Sequence, residues 1–410
     1  MSQRKIGTFS LSLMLTGSIL GSGIIILPPL VLNVVGEWAI VGWLITALFG
    51  VAFAYVFAHA GTLFPGDGGA ATAIEHAFGP GAKRLASYSL MSATMFGPAA
   101  VMLTIVNYLP PVLAPETAVD RFLVMAIIQV SCAGLILSGL KNMSRIGVIL
   151  AALSTILLLV GSWLALYSGS GSIHHLPPFD GRSMGYSLLL MFFGIVGWEI
   201  VGNYGNEVRD PKKTIPRAAL YASTIIGLVF VSVGAGMQYG SFPADAGSGV
   251  TVLLYPLFGS FAPWIMGGLV AALCVTTYIV FAGGVARLAA HLGEHGGLPA
   301  FLGKRNRFGA PMTAMICYTV IHVILIGLVC LDVIDMAGLL AVADGFFLTN
   351  ALLGTLAAVR LFHKPLPKFI AVLLSMGVFI VLTMAHWPVL VAVCAMAVFV
   401  MGRARRFAWR

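Results

Sequence analysis

Long apolar runs separated by short polar clusters fill the chain from end to end. The first run covers about 7–32, and further runs follow at roughly 36–63, 85–112, 120–140, 146–168 and 184–206. A second set lies near 218–240, 258–290, 312–332, 336–361, 366–385 and 387–402. Most are of the ~20-residue length that a helix needs to cross a bilayer. The pattern predicts twelve transmembrane helices and no separate soluble domain. Arg4 and Lys5 precede the first run as in a signal peptide, but the run is too long for an h-region and lacks a suitably placed small-residue cleavage site. It is therefore read as span 1.

The polar clusters between the runs orient these spans. If the N-terminus is inside, 21 of the 23 Lys and Arg residues fall on inside segments, and only Arg121 and Arg182 fall outside. A wrong span count would scramble that alternation, so twelve spans with both termini cytoplasmic are expected. The Arg403, Arg405, Arg406 and Arg410 cluster then serves as an inside anchor on anionic lipid. The longest polar stretches, 64–83, 207–217 and 291–310, are also expected inside, with short outside loops near 169–182 and 241–256.

Composition agrees with this picture. The 410 residues are 59% hydrophobic and 9% charged, against ~25% charged in a soluble domain. So few charges could not cover a globule of this size, which excludes a soluble enzyme, a nucleic-acid binder and a secreted disulfide scaffold. The net charge of +9 is accounted for by topology and predicts no nucleic-acid partner. Cys132, Cys274, Cys317, Cys330 and Cys394 are scattered without metal or redox spacing and read as small packing residues.

Two spans are interrupted by glycine. Span 1 reads Thr16-Gly17-Ser18-Ile19-Leu20-Gly21-Ser22-Gly23-Ile24, with Pro28-Pro29 beyond, and span 6 reads Phe192-Phe193-Gly194-Ile195-Val196-Gly197-Trp198-Glu199. A glycine costs about 1 kcal/mol in a helix interior, and non-helical backbone at membrane depth persists only where it lines a cavity or is buried in protein. Two readings follow: discontinuous helices whose freed N–H and C=O groups bind a substrate, or tight helix packing through small residues. Both breaks open five-span halves, 7–168 and 184–361, with 366–402 peripheral. That pairing favours the first reading.

Several stretches resemble one family. Gly21-Ser22-Gly23-Ile24 with Leu27-Pro28 looks like the first-span motif of the amino acid–polyamine–organocation transporter superfamily. Phe64-Pro65-Gly66-Asp67-Gly68-Gly69 and Ala77-Phe78-Gly79 resemble its second inside loop. Gly197-Trp198-Glu199 and the stretch from Asn206-Glu207-Val208-Arg209-Asp210-Pro211 to Ala218 are similar to its most specific segment. Ala286-Arg287-Leu288-Ala289-Ala290, Gly297-Leu298-Pro299 and Pro311 resemble the loop after its span 8. The length is most similar to that of compact bacterial exporters of neutral amino acids.

The resemblance implies an all-α, leucine-transporter-like five-plus-five inverted repeat in the cytoplasmic membrane of a bacterium. It also implies that a substrate carboxylate meets the backbone at Ser22, Gly23 and Ile24. The ammonium would meet carbonyls near Ile19, Phe193 and Val196, with Ser18, Gly21, Gly194 and Gly197 completing the two breaks. Tyr278 would stand at the gating aromatic position of span 8.

Glu199 and Asp344 are the acids expected inside spans, where even permissive scales charge ~2.5–3.5 kcal/mol for a carboxylate. Both are candidates for gating or proton coupling. A helix-to-helix hydrogen bond is the alternative for each, for Asp344 with Thr349 or Asn350. Thr276 and Thr277 could build a sodium site with span 1 carbonyls, although packing is the simpler account of them. The coupling ion is thus open between proton, sodium and exchange, and the protein between monomer and homodimer.

Other motifs are declined. His291-Leu292-Gly293-Glu294-His295 matches a zinc-protease pattern, but Gly293 predicts poor helix and no third ligand is evident. His174-His175 with Asp180 is expected to be a solvated loop, and Asn142-Met143-Ser144 lies inside. His59 and His322 are expected to pack or to bond between helices. Lys212, Lys213 and Arg217 are topology signals first and gate partners of Glu207 or Asp210 second. No metal or cofactor is expected, and no G-x-x-x-x-G-K-[ST] phosphate loop occurs.

Ile19, Ile24, Phe192, Phe193, Ile195, Val196 and Trp198 surround the breaks with little fixed charge. The expected substrate is a small neutral amino acid moved by secondary active transport. Cationic amino acids or polyamines are the second choice. A non-transporting sensor and an intramembrane metalloenzyme are the other classes.

Overall fold

The computed structural model describes residues 7–64, 69–138, 143–169, 177–198, 208–243 and 246–407. They form fifteen α-helices and short 3₁₀ turns, with no β-strand among the described residues. The helices are α1 Thr8–Leu20, α2 Gly23–Val35, α3 Ala39–Leu63, α4 Gly69–Phe78 and α5 Pro80–Asn107. Next come α6 Ala118–Leu137, α7 Met143–Ser168, α8 Gly181–Phe192, α9 Pro211–Tyr239 and α10 Tyr255–Phe258. The last five are α11 Ala262–Glu294, α12 Met312–Cys330, α13 Met336–Leu361, α14 Pro365–Leu382 and α15 Trp387–Phe407. Among the described residues, eight helical stretches are long and apolar enough to cross a membrane, and three shorter apolar pieces lie at Thr8–Gly17, Ala152–Ser168 and Trp387–Val400.

Local chemistry explains the helix boundaries. Proline occupies the first turn of α5, α9 and α14, where its missing N–H has no intrahelical partner to lose. Asp335 caps α13 by accepting from the Gly338 N–H at 3.0 Å, and Thr117 caps α6 through Asp120 N–H at 3.1 Å. Asp180 caps α8, accepting from the N–H groups of Arg182 and Ser183 at 3.0 and 3.2 Å. Each cap supplies an acceptor to N–H groups that the helix leaves open. Two polar stretches hold more structure than their composition predicts. The inside stretch 64–83 contains α4, and the 241–256 loop contains a 3₁₀ turn at Gly249–Leu254 followed by α10.

The helix contacts come in related pairs. The packing of α1 on α9 has a counterpart in α3 on α8, and that of α5 on α13 in α11 on α7. In the same way α1 on α7 corresponds to α8 on α13, α9 on α7 to α3 on α13, and α5 on α6 to α11 on α12. Four further contacts, α2 with α8, α3 with α9, α5 with α11 and α6 with α12, join spans five apart in the predicted order. Even the connections follow suit: α4 lies on α5 and α13, while the Gly249–Leu254 turn lies on α11 and α7.

Candidate substrate site

Helix α1 stops at Leu20 because Gly21 turns to φ 34°, ψ −133°, a backbone state that carries little penalty only for glycine. The chain restarts at Gly23, with the Ile25 and Ile26 N–H groups donating to the Ser22 carbonyl at 3.0 and 3.1 Å. Helix α2 therefore begins in mid-span, and Gly23 and Ile24 contribute N–H groups that the helix itself cannot satisfy. The Ser22 N–H is held differently, donating to Thr277 Oγ1 of α11 at 3.2 Å. Ser22 Oγ is buried without a hydrogen-bond partner among the described residues.

The second break lies after Phe192. The N–H groups of Phe193, Gly194 and Ile195 donate three residues back at 3.2, 3.0 and 2.9 Å, so the last turn tightens before the helix is lost. Gly197 then adopts φ 109°, again open only to glycine at low cost. Trp198 is buried, and its Nε1 has no hydrogen-bond partner among the described residues. Residues 199–207, including Glu199 and Glu207, lie outside the described residues.

The two breaks touch. A Cβ on Gly23 would lie 3.3 Å from Gly194 Cα, so the backbones approach as only glycine permits. A Cβ on Gly194 would meet Phe230 Cζ at 2.6 Å and Leu27 Cδ1 at 3.0 Å. One on Gly197 would lie 3.3 Å from Ile19 Cγ1. Phe230 stacks on Trp43 with centroids 5.1 Å apart, which fixes the ring that closes this contact. Phe193 is half-buried and reaches Phe347 of α13 at 6.5 Å. Ile19, Ser22, Ile24, Ile195 and Val196 are buried, so the breaks are closed to solvent in this conformation.

The structure thus brings together Ile19, Gly21, Ser22, Gly23, Ile24, Gly194 and Gly197; Ser18 belongs to α1, and its side chain lies outside the described residues. Tyr278 faces elsewhere. Its hydroxyl meets Gln129 Nε2 at 2.5 Å and His322 Nδ1 at 3.4 Å. His322 Nε2 is 2.9 Å from the Thr94 carbonyl, where it donates, so this histidine makes the interhelical bond expected of it. The neighbouring Thr277 contacts the span 1 break, while Thr276 Oγ1 donates back to the Ala272 carbonyl at 2.8 Å. Both threonines are therefore engaged in protein hydrogen bonds. Nothing in the sequence marks Phe230 as the residue that closes over Gly194; a large aromatic on a neighbouring span is too common a feature to single out.

Asp344 is fully buried in α13, and among the described residues neither of its carboxylate oxygens has a hydrogen-bond partner. Thr349 Oγ1 donates instead to the Gly345 carbonyl at 2.9 Å, so the alternative of a bond from Thr349 to Asp344 is not realised.

The HxxEH segment requires a correction. Helix α11 continues through Glu294 despite Gly293, because a Cβ there would lie 2.7 Å from the Gly303 N atom, and the glycine lets that turn pack against the helix. Ligand atoms of His291, Glu294 and His295 come within 4.8 Å of one another at the surface. Glu294, however, is paired with Arg305 at 2.7 Å to Nε, and the pairing holds Arg305 above its ordinary range. Asp210 pairs with Lys213 at 3.4 Å, both exposed.

Described residues that are all-helical, with many helices long and apolar enough to cross a membrane, one interrupted at Gly21-Ser22 and another losing its helix at Phe193–Gly197, define a polytopic membrane protein of the leucine-transporter-like type. Residues 6–408 match the amino acid permease family, and the chain belongs to it. It is 25% identical to the putrescine transporter PotE of Haemophilus influenzae, covering 78% of this chain and 76% of the relative. It is 26% identical to a cadaverine/lysine antiporter of Escherichia coli, over 77% of this chain and 72% of the relative. The L-methionine/branched-chain amino acid exporter YjeH of Escherichia coli is 24% identical over 94% of this chain and 92% of its own. These relatives are transporters, not enzymes.

Proposed function

We propose that this protein is a secondary active transporter that carries a small neutral amino acid across the cytoplasmic membrane of a bacterium by alternating access. The close approach of Gly23 and Gly194 carries the reading: two interrupted helices meet where a substrate would need freed backbone groups. The N-terminus of α2 offers Gly23 and Ile24 N–H groups and the positive end of a helix to a carboxylate. Carbonyls near Ile19, Phe193 and Val196 would receive the ammonium. Ile24, Ile195, Val196 and Trp198 give the side chain an apolar surround.

The paired helix contacts support two five-helix halves of inverted topology, 7–168 and 184–361, with α14 and α15 outside the repeat. The alternation of basic residues supports both ends on the cytoplasmic side. The resemblance to YjeH supports export as one direction of net transport. The putrescine and cadaverine/lysine relatives support a second reading, in which the substrate is a cationic amino acid or a diamine.

Counterflow in proteoliposomes tests both readings. Vesicles loaded with unlabelled substrate are offered labelled leucine, methionine, alanine, lysine, putrescine or glutamate. Accumulation of leucine or methionine supports the first reading, and accumulation of lysine or putrescine alone supports the second. Binding without accumulation would indicate a sensor and overturn both.

A further inference from the structure

Asp344 lies eight residues inside α13 from its start at Met336, about 12 Å along the axis at 1.5 Å per residue. Helix α8 packs beside it, and in the predicted topology the two helices begin at the same end, with Asp180 and Asp335 as their N-caps. Phe193 and Phe347 join these helices deeper in, next to the break. Tyr186, seven residues before Phe193, shares its face of α8. Tyr186 is half-buried, on the face of α8 from which Phe193 reaches α13. Its ring also packs edge-on against His386, with centroids 5.8 Å apart. His386 is exposed in the turn between α14 and α15. That turn is seated on α13 beside the acid, where a Cβ on Gly345 would meet Val389 Cγ1 at 2.6 Å and Ala385 Cβ at 3.5 Å.

These groups form a descending series: an exposed imidazole, a phenol at its edge, and a buried carboxyl with no partner among the described residues, one turn above the break. The other elements packed on α13 are α3, α4, α5, α14 and α15. None places a hydrogen-bonding or ion-pairing group on the carboxyl among the described residues. An isolated carboxylate cannot persist in such a site, and a proton or a metal cation must neutralise it. A cation would need several oxygen ligands, and Thr349, the nearest hydroxyl on the helix, is turned to its own backbone.

We propose that Asp344 carries the coupling proton and is loaded from the end where α8 and α13 begin, through Tyr186 and His386. This inference rests on the transport reading above. The proton leaves a donor at the surface, passes by way of His386 and the Tyr186 hydroxyl, and binds one Asp344 oxygen; release reverses those bonds without any redox step. A neutral Asp344 lets α8 and α13 move against each other without a buried charge between them.

The test uses the full chain in proteoliposomes, with the substrate that the wild type exchanges. Accumulation driven by an imposed pH gradient is compared with counterflow, and a trapped pH dye follows proton movement. Asp344→Asn mimics the protonated acid and is expected to exchange substrate while losing more than tenfold of gradient-driven accumulation. Tyr186→Phe is expected to slow the dye response several-fold with counterflow retained, and it carries the test if Asp344→Asn fails to fold. Retention of gradient-driven accumulation by Asp344→Asn, or an unaltered dye response in Tyr186→Phe, overturns the proposal. So does loss of lysine or putrescine exchange alone, which would make Asp344 a substrate ligand. Difference infrared spectroscopy reads the carbonyl stretch of the protonated acid independently of transport. A wild type that shows this band but no counterflow would sink the transport reading and leave the proton site standing.

Discussion

The backbone N–H of Ser22 donates to Thr277 Oγ1 at 3.2 Å, across 255 positions of sequence. This bond ties the interruption of span 1 to the middle of α11 and takes the first free N–H of the break. Gly23 and Ile24 are left as the donors available to a ligand. In the proposed site Thr277 would act as a positioning residue, setting where the start of α2 points through its bond to the Ser22 N–H.

Thr277→Val keeps the shape and removes the acceptor, leaving the Ser22 N–H buried and unpaired. A loss of about 1–3 kcal/mol is expected, read as a lower unfolding temperature in detergent, together with a raised KM for exchange. Thr277→Ser should recover both. A variant with wild-type KM would remove Thr277 from the positioning role.

Gly194 is closed in by Phe230, so Gly194→Ala should impair exchange by at least tenfold while the protein still inserts in the membrane. Phe230→Leu should partly restore it in the double variant, because shortening the ring relieves the 2.6 Å contact. Independent, additive losses would argue that the two residues do not share the site.

His322 bridges Thr94 of α5, Gln129 of α6 and Tyr278 of α11. His322→Leu strips partners from several buried polar groups and should destabilise the fold by about 2–4 kcal/mol. Its effect on substrate KM should be small, because the cluster is held apart from the two breaks. Thermal unfolding set beside exchange kinetics separates the two effects.

Asp180 gives a pH dependence of known sign. The Ser183 hydroxyl first, then the Arg182 and Ser183 N–H groups, hold its carboxyl below the usual carboxylate range. The cap therefore stabilises the charged form at neutral pH, and this contribution fades as pH falls through the folded-state value, below roughly pH 4. The stability gap between wild type and Asp180→Asn should narrow over that acid range. A constant gap would mean that charge has no part in the cap.

Much of the architecture was legible because a bilayer leaves a chain few choices. The run predicted at 336–361 is α13 to the residue, and 36–63 differs from α3 only by a short 3₁₀ turn at its start. Both helix breaks were also legible, since glycine pairs in mid-span leave a mark in any sequence. The polar connections were read less well. Helix α4 and the Gly249–Leu254 turn are short, and each is held by neighbours distant in sequence.

Sequence by itself determined the membrane class, the apolar segments, the family and the two interruptions, because these follow from composition and from local backbone preference. Only the tertiary structure decided which groups meet. It set Gly23 against Gly194, gave the Ser22 N–H to Thr277 and turned Tyr278 toward His322. It also left Asp344 without a partner among the described residues. Each of these depends on how helices cross, and a difference of one position around a helix, about 100°, turns a side chain from one neighbour to another. Adjacent residues such as Thr277 and Tyr278 are alike in sequence context, yet packing sends one to the helix break and the other to a separate buried cluster.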